Sequence, residues 1–138
     1  MVAFSEVAIA TLPPSGAAIT DAEAAAMFRA ALNLFEKWGV SDEQASLLLD
    51  VPPRTYARWK ADRRPGRMGR DDKARLSNLM GIHKALRLIF KEPVRGYRWV
   101  KAPNDAFGGR SALDVMVGGE LTDLMRVRRY LDAERGAW

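Results

Sequence analysis

The sequence predicts an all-α fold, an N-terminal helix-turn-helix cluster followed by a small C-terminal helical domain. Three observations predict it. Apolar residues recur at helical spacing in several stretches, most of them opened by a capping pattern or a proline and closed by glycine or proline. No β-alternation of useful length interrupts them. With 138 residues, 48% of them hydrophobic and 28% charged, the chain has the composition of a globular protein and the length for one domain or two very small ones.

Residues 1–19 read as a loose arm, because Pro13, Pro14, Ser15 and Gly16 break any regular element. The first helix starts at Thr20, which with Glu23 forms a capping box, and runs through Met27, Phe28, Ala31, Leu34 and Phe35 to Trp38, where Gly39 stops it. The second repeats the signal with Ser41 and Gln44 and ends near Val51. The third runs from about Pro53 through Ala61, since proline is tolerated in a first helical turn. The fourth and longest spans about Asp71 to Lys91, with Leu76, Leu79, Met80, His83, Leu86, Ile89 and Phe90 on its apolar face. Gly81 costs this helix about 1 kcal/mol relative to alanine. A short helix over 93–101 carries Tyr97, Trp99 and Val100. A turn-forming loop follows, then a helix capped by Ser111 through Val117, and a last helix from about Leu121 to Glu134 with Leu124, Met125, Val127, Tyr130 and Leu131 inward. The expected organisation is an arm over 1–19, a helix-turn-helix region for DNA binding or dimerisation over 20–70, and a linker helix with a second domain over 71–138.

The composition excludes several function classes. With no cysteine there is no disulfide and no thiol catalysis, and with one histidine there is no His-rich metal site. No apolar run approaches the roughly 20 residues that span a bilayer, and no basic cluster precedes an apolar stretch at the N-terminus. A cytoplasmic protein without metal, cofactor or membrane partner is expected. His83 stands alone on an apolar helix face, Asp71 and Asp72 suit a helix start, and Asp132 and Glu134 point to different faces. No acid–base pair or nucleophile emerges, so the chain is not expected to be an enzyme.

The net charge of +5 is concentrated. Residues 51–75 hold nine basic residues against Asp62, Asp71 and Asp72, and the remainder of the chain is close to neutral. Such local excess is the electrostatic footprint of a polyanion site. It coincides with the second and third helices, which form a helix-turn-helix pattern whose second member would enter the major groove. Arg54, Thr55 and Arg58 are the candidates for base edges, and Lys60, Arg63, Arg64 and Arg67 those for phosphates. Tyr56, Ala57 and Trp59 are read as the group that includes the packing residues. A plain helical hairpin with a basic surface would share the helix pattern; the basic cluster favours the DNA reader. Such readers usually dimerise to meet two half-sites.

The C-terminal stretch WVKAPNDAFGGRSALDVMVGGELTDLMRVRRYLDAERGAW, residues 99–138, resembles the toxin-binding domain of Xre/MbcA/ParS-like antitoxins. The matching positions are Trp99, Pro103, Asn104, Phe107, Gly108, Gly109, Ser111, Leu113 and Gly119, with Ala112 standing where many members have proline. Residues 71–90 look like the family's linker helix and the N-terminal part like its Xre-type helix-turn-helix. The resemblance implies a type II antitoxin that neutralises a RES-domain toxin, itself consuming NAD or transferring from it, and that represses its own operon. It also implies operator DNA, a homodimer and a toxin–antitoxin hetero-oligomer. Candidate toxin contacts are Asn104, Gly108, Gly109, Ser111, Arg126, Arg128, Arg129, Tyr130, Arg135 and Trp138. Arginines on the last helix suit a cleft made for a pyrophosphate; they also suit i,i+4 pairing with Asp132. Trp138 suits insertion into a pocket or packing on its own helix, and Trp99, Phe107 and Leu113 are read as core. The alternative function is a stand-alone helix-turn-helix regulator whose C-terminal part senses a ligand or dimerises.

Overall fold

In a computed structural model of the chain, residues 18–136 are described. They form seven α-helices: α1 (Asp21–Trp38), α2 (Asp42–Leu49), α3 (Pro53–Asp62), α4 (Arg70–Ile89), α5 (Pro93–Lys101), α6 (Ala112–Met116) and α7 (Leu121–Gly136). A 3₁₀ turn over Asp105–Phe107 and an isolated bridge between Pro103 and Ser111 complete the regular structure. No strand occurs among the described residues.

Three helix starts follow directly from side-chain chemistry. Thr20 and Glu23, Ser41 and Gln44, and Ser111 and Asp114 each form reciprocal capping boxes, with hydrogen bonds of 2.9–3.2 Å between each side chain and the other residue's backbone N–H. Gly69 opens α4, its N–H donating to Asp72 Oδ2 at 3.0 Å. Gly39 closes α1 at φ +69°, a conformation that favours glycine.

Two helix ends fall short of the sequence expectation. Helix α2 stops at Leu49, with Asp50 left-handed at φ 53°, because Val51 precedes Pro52 and is steered out of the helical region. Helix α4 stops at Ile89 rather than Lys91; Phe90 is already extended at ψ 122°, and Glu92 is held extended by the following Pro93.

Helix α4 is the spine. Leu79, Met80, Gly81, Ile82, His83, Ala85 and Leu86 are all buried, so the helix is covered on more than one side. It packs against α1, α2 and α5, and most extensively against α7. The buried apolar residues form one continuous cluster from Ala24 to Leu131. Arg75, near the start of α4, is 3% exposed. Its Nε donates to Asp71 at 2.7 Å, and its NH1 donates to the Leu48 carbonyl at 3.3 Å, one of the last acceptors of α2. Asp50 lies 3.9 Å away. Arg75 thus bolts the helix-turn-helix onto the spine.

Gly81 also has a tertiary reason. A Cβ there would run into the Arg128 guanidinium of α7. The missing side chain lets Arg128 lie across α4, reaching Asn78 Oδ1 at 3.5 Å.

His83 is buried, and burial, with the charge of Arg87 adding to it, pushes its pKa down to about 4. The folded protein therefore holds it neutral, while the unfolded chain takes up a proton below about pH 6.5. Stability from this group is complete above that value and falls as the pH drops to about 4. The expected loss is about 3 kcal/mol. Urea unfolding of the protein and of His83→Gln at pH 7, 5.5 and 4 measures it; the variant should lose less stability over that range.

Candidate functional site

The nine basic residues of 51–75 do not share one fate. Arg75 is turned inward, as described. Lys73 is paired with Asp21 at 2.8 Å and donates to the Ile19 carbonyl at 3.0 Å. That pairing, helped by the field of Arg67, holds the Asp21 carboxyl below its ordinary range. Lys60 bonds Asp42, at the start of α2, at 2.7 Å. Both of those side chains stay exposed, so the pair contributes little stability and leaves the ammonium within reach of other anions.

Arg54, Arg58, Arg63, Arg64, Arg67 and Arg70 are exposed and form no ion pair or side-chain hydrogen bond among the described residues. Their arrangement follows from α3. Tyr56 and Trp59, three apart, turn inward against Phe35 (ring centroids 6.5 Å apart) and Phe28 (5.9 Å, edge to face). Burial, with the nearby Asp42 charge, pushes the Tyr56 phenol up to about 12, so it stays neutral. Arg54 and Arg58, one turn apart, therefore share the solvent face, with Thr55 partly buried at its edge.

The loop after α3 is folded back on the same helix. Met68 is buried, and Gly66 lies so close to Trp59 that a Cβ would sit 2.9 Å from the indole Nε1. This contact draws the loop bearing Arg63, Arg64 and Arg67 alongside α3. The result is an arginine-rich surface on a helix-turn-helix frame. Its chemistry fits phosphate oxygens and guanine edges.

The C-terminal candidates divide as well. Asn104 organises its own loop. Its Oδ1 accepts from the Ala106 N–H at 2.9 Å, its N–H donates to the Arg110 carbonyl at 3.0 Å, and its carbonyl accepts from Phe107 and Gly109. Gly108 and Gly109 are left-handed at φ 67° and 85°, which accounts for the glycine pair as turn geometry. Ser111 is buried and spends its side chain capping α6. Arg128 lies against Gly81, with Asp132 a long 3.9 Å away. These residues shape the domain from within.

Arg126 and Arg129 face solvent on α7, and Arg135 is partly buried near its end. Trp138 lies outside the described residues, as does residues 1–17 of the expected arm. Phe107 and Leu113 are core residues, as expected. Trp99 is not fully so. It is partly buried and stacks on Tyr130, with ring centroids 6.0 Å apart and planes 11° from parallel. Phe107 meets both rings edge-on, at 6.2 and 5.2 Å. The Arg126 guanidinium sits 5.3 Å from the Phe107 ring centre. The grouping joins α5, the 3₁₀ turn and α7, and no sequence spacing announces it.

Among the described residues no helix is long and apolar enough to cross a membrane. Residues 17–81 match the family model of the antitoxin Xre-like helix-turn-helix domain, and residues 85–136 that of the antitoxin Xre/MbcA/ParS C-terminal toxin-binding domain. The chain is 42% identical over 125 residues to the uncharacterized protein y4oB of Sinorhizobium fredii, covering 90% of this chain and 92% of that protein. It is also similar to a chain in the crystal structure of the M. tuberculosis MbcT-MbcA toxin-antitoxin complex. The TM-score there is 0.54 at 25% identity, over 82% of this chain and 94% of that one.

Arg63 closes α3 in the left-handed region at φ 53°, where a residue with a Cβ is strained. Arg63→Gly is expected to raise stability by about 1 kcal/mol, read as a shift of the urea midpoint.

Proposed function

The chain belongs to the Xre/MbcA/ParS antitoxin family, and from that premise we propose that it neutralises a cognate RES-type toxin in the cytoplasm by covering the toxin's active site with its C-terminal region. The observation that carries this reading is that a toxin-binding domain accounts for residues 85–136, while α7 presents unpaired arginines to solvent. A toxin of this kind consumes NAD or transfers ADP-ribose from it, and the arginines of α7 are suited to carboxylates on the toxin beside its active site. The antitoxin acts by occupancy and supplies no catalytic group of its own.

We read the α2–α3 pair as the operator-binding element through which the protein represses its own operon. Arg54, Thr55 and Arg58 would face base edges, and Lys60, Arg63, Arg64 and Arg67 phosphates. One α3 covers few base pairs, so a homodimer with half-sites about 34 Å apart is part of this reading, as is a hetero-oligomer with the toxin. Toxin-contact and DNA-contact residues then lie on different helices of one body and are separable by mutation.

Co-expression with the adjacent reading frame tests the first part. The neighbour alone should stop growth and lower cellular NAD, and this chain should restore both. Removing residues 135–138, which spares the buried Val127 and Leu131, should weaken rescue; undiminished rescue would move the inhibitory contact elsewhere. For the second part, Arg54→Ala and Arg58→Ala should each weaken gel shifts of the promoter fragment by about 10-fold or more while leaving rescue intact. Unchanged shifts would remove the groove assignment.

A further inference from the structure

The cluster that joins α5, the 3₁₀ turn and α7 is not explained by stability alone. Phe107 is buried, as a core ring should be. Trp99 and Tyr130 are not; their stacked pair reaches the surface. Partly exposed aromatic faces beside arginine are the composition of an interface centre rather than of a solvated helix face.

The arginines next to the stack are positioned for a partner. Arg126 is exposed, and its guanidinium is held 5.3 Å from the centre of the Phe107 ring. The ring contact restrains a side chain that would otherwise lose much rotamer freedom on binding. Arg129 lies one turn along on the same outward side of α7, opposite Leu124, Val127 and Leu131. Neither arginine has an ion pair among the described residues. Asp132, three residues after Arg129, pairs with Arg128 instead, and Asp123, three residues before Arg126, accepts from the Glu120 N–H.

We infer that the Trp99–Tyr130 stack, with Arg126 and Arg129, is a docking shelf whose occupant is a carboxylate-bearing surface of the toxin, and that this shelf is the centre of the toxin interface. The inference rests on the antitoxin reading above and deepens it by giving the partner surface a chemistry. A planar guanidinium held at its edge donates two parallel hydrogen bonds to a carboxylate. The aromatic pair beside it supplies the apolar area that excludes water around that bond. Charge complementarity favours a protein carboxylate over nucleic acid here. The basic excess that a phosphate backbone needs lies in residues 51–75, and the rest of the chain is close to neutral. The shelf has two local arginines and a hydrophobic face, which suits one or two acidic side chains.

The test is calorimetric titration of the full chain with the purified product of the adjacent reading frame. Arg126→Glu should weaken binding by about 100-fold or more, and Tyr130→Ala by about 10-fold or more. Arg126→Lys should fall between wild type and Arg126→Glu, because an ammonium keeps the charge and loses the two-bond geometry. Arg126 is exposed, so its variants should melt with the wild type; Tyr130→Ala is interpreted through its melting curve beside Tyr130→Phe, which keeps the ring and should bind like wild type. Wild-type affinity should fall with added salt more steeply than that of Arg126→Glu. If wild type binds and Arg126→Glu binds equally well, the shelf is overturned while the antitoxin reading stands. If wild type fails to bind that product, the pairing itself falls and takes the shelf with it. If Arg126→Glu instead loses operator DNA and keeps the protein partner, the surface is a nucleic-acid site and the inference is wrong.

Discussion

Helix α4 must be covered on nearly all sides, and the rest of the structure depends on meeting that demand. Its run of buried residues from Leu79 to His83, with Ala85 and Leu86, leaves only Lys84 partly exposed over two turns. One flank is closed by α1 and α2 and another by α7. Because both halves of the protein bury their apolar surface on the same helix, they share one core. The helix-turn-helix surface and the outward face of α7 are therefore fixed relative to each other by packing, without a flexible tether between them.

Arginine does two different jobs on this frame, and burial decides which. Arg75 and Arg128 are structural. The first carries a guanidinium to the carbonyl end of α2, and the second lays one across the gap that Gly81 leaves in α4. Each finds acceptors that solvent would otherwise supply, so the desolvation of a large cation is offset locally. Arg54, Arg58, Arg126 and Arg129 have no such partners within the described fold and keep their full donor capacity for something outside it. The same residue type two positions apart, Arg126 and Arg128, thus points to opposite roles because two helix steps rotate a side chain by about 200°.

Most helix starts and the basic segment could be read directly from the sequence. Thr20 with Glu23 and Ser41 with Gln44 encode their own hydrogen bonds over four residues, and such local pairings form with little reference to the remainder of the chain. On α3 the sequence groups Tyr56, Ala57 and Trp59 for packing; Tyr56 and Trp59 are buried, while Ala57 between them is exposed. Less of the candidate site could be read this way. Asn104 and Ser111 match the family pattern as possible contacts, yet their side chains are engaged in their own turn and cap. Trp99 was expected inside and lies at the surface edge, since its neighbour Tyr130 comes from a helix 31 positions away.

What the sequence alone determined is the helical class, the order of its elements, the two capped starts at Thr20 and Ser41, and the placing of the positive charge in residues 51–75. These depend on interactions that span a turn or two of chain, or on counting charges, and neither needs a tertiary neighbour. Tertiary structure alone decided which arginines are spent inside, why a glycine sits in the middle of α4, and which aromatic residues reach the surface together. Those outcomes rest on contacts between residues such as Gly81 and Arg128, or Phe107 and Arg126. Such pairs are joined only by the packing of separate elements, so no local pattern records them.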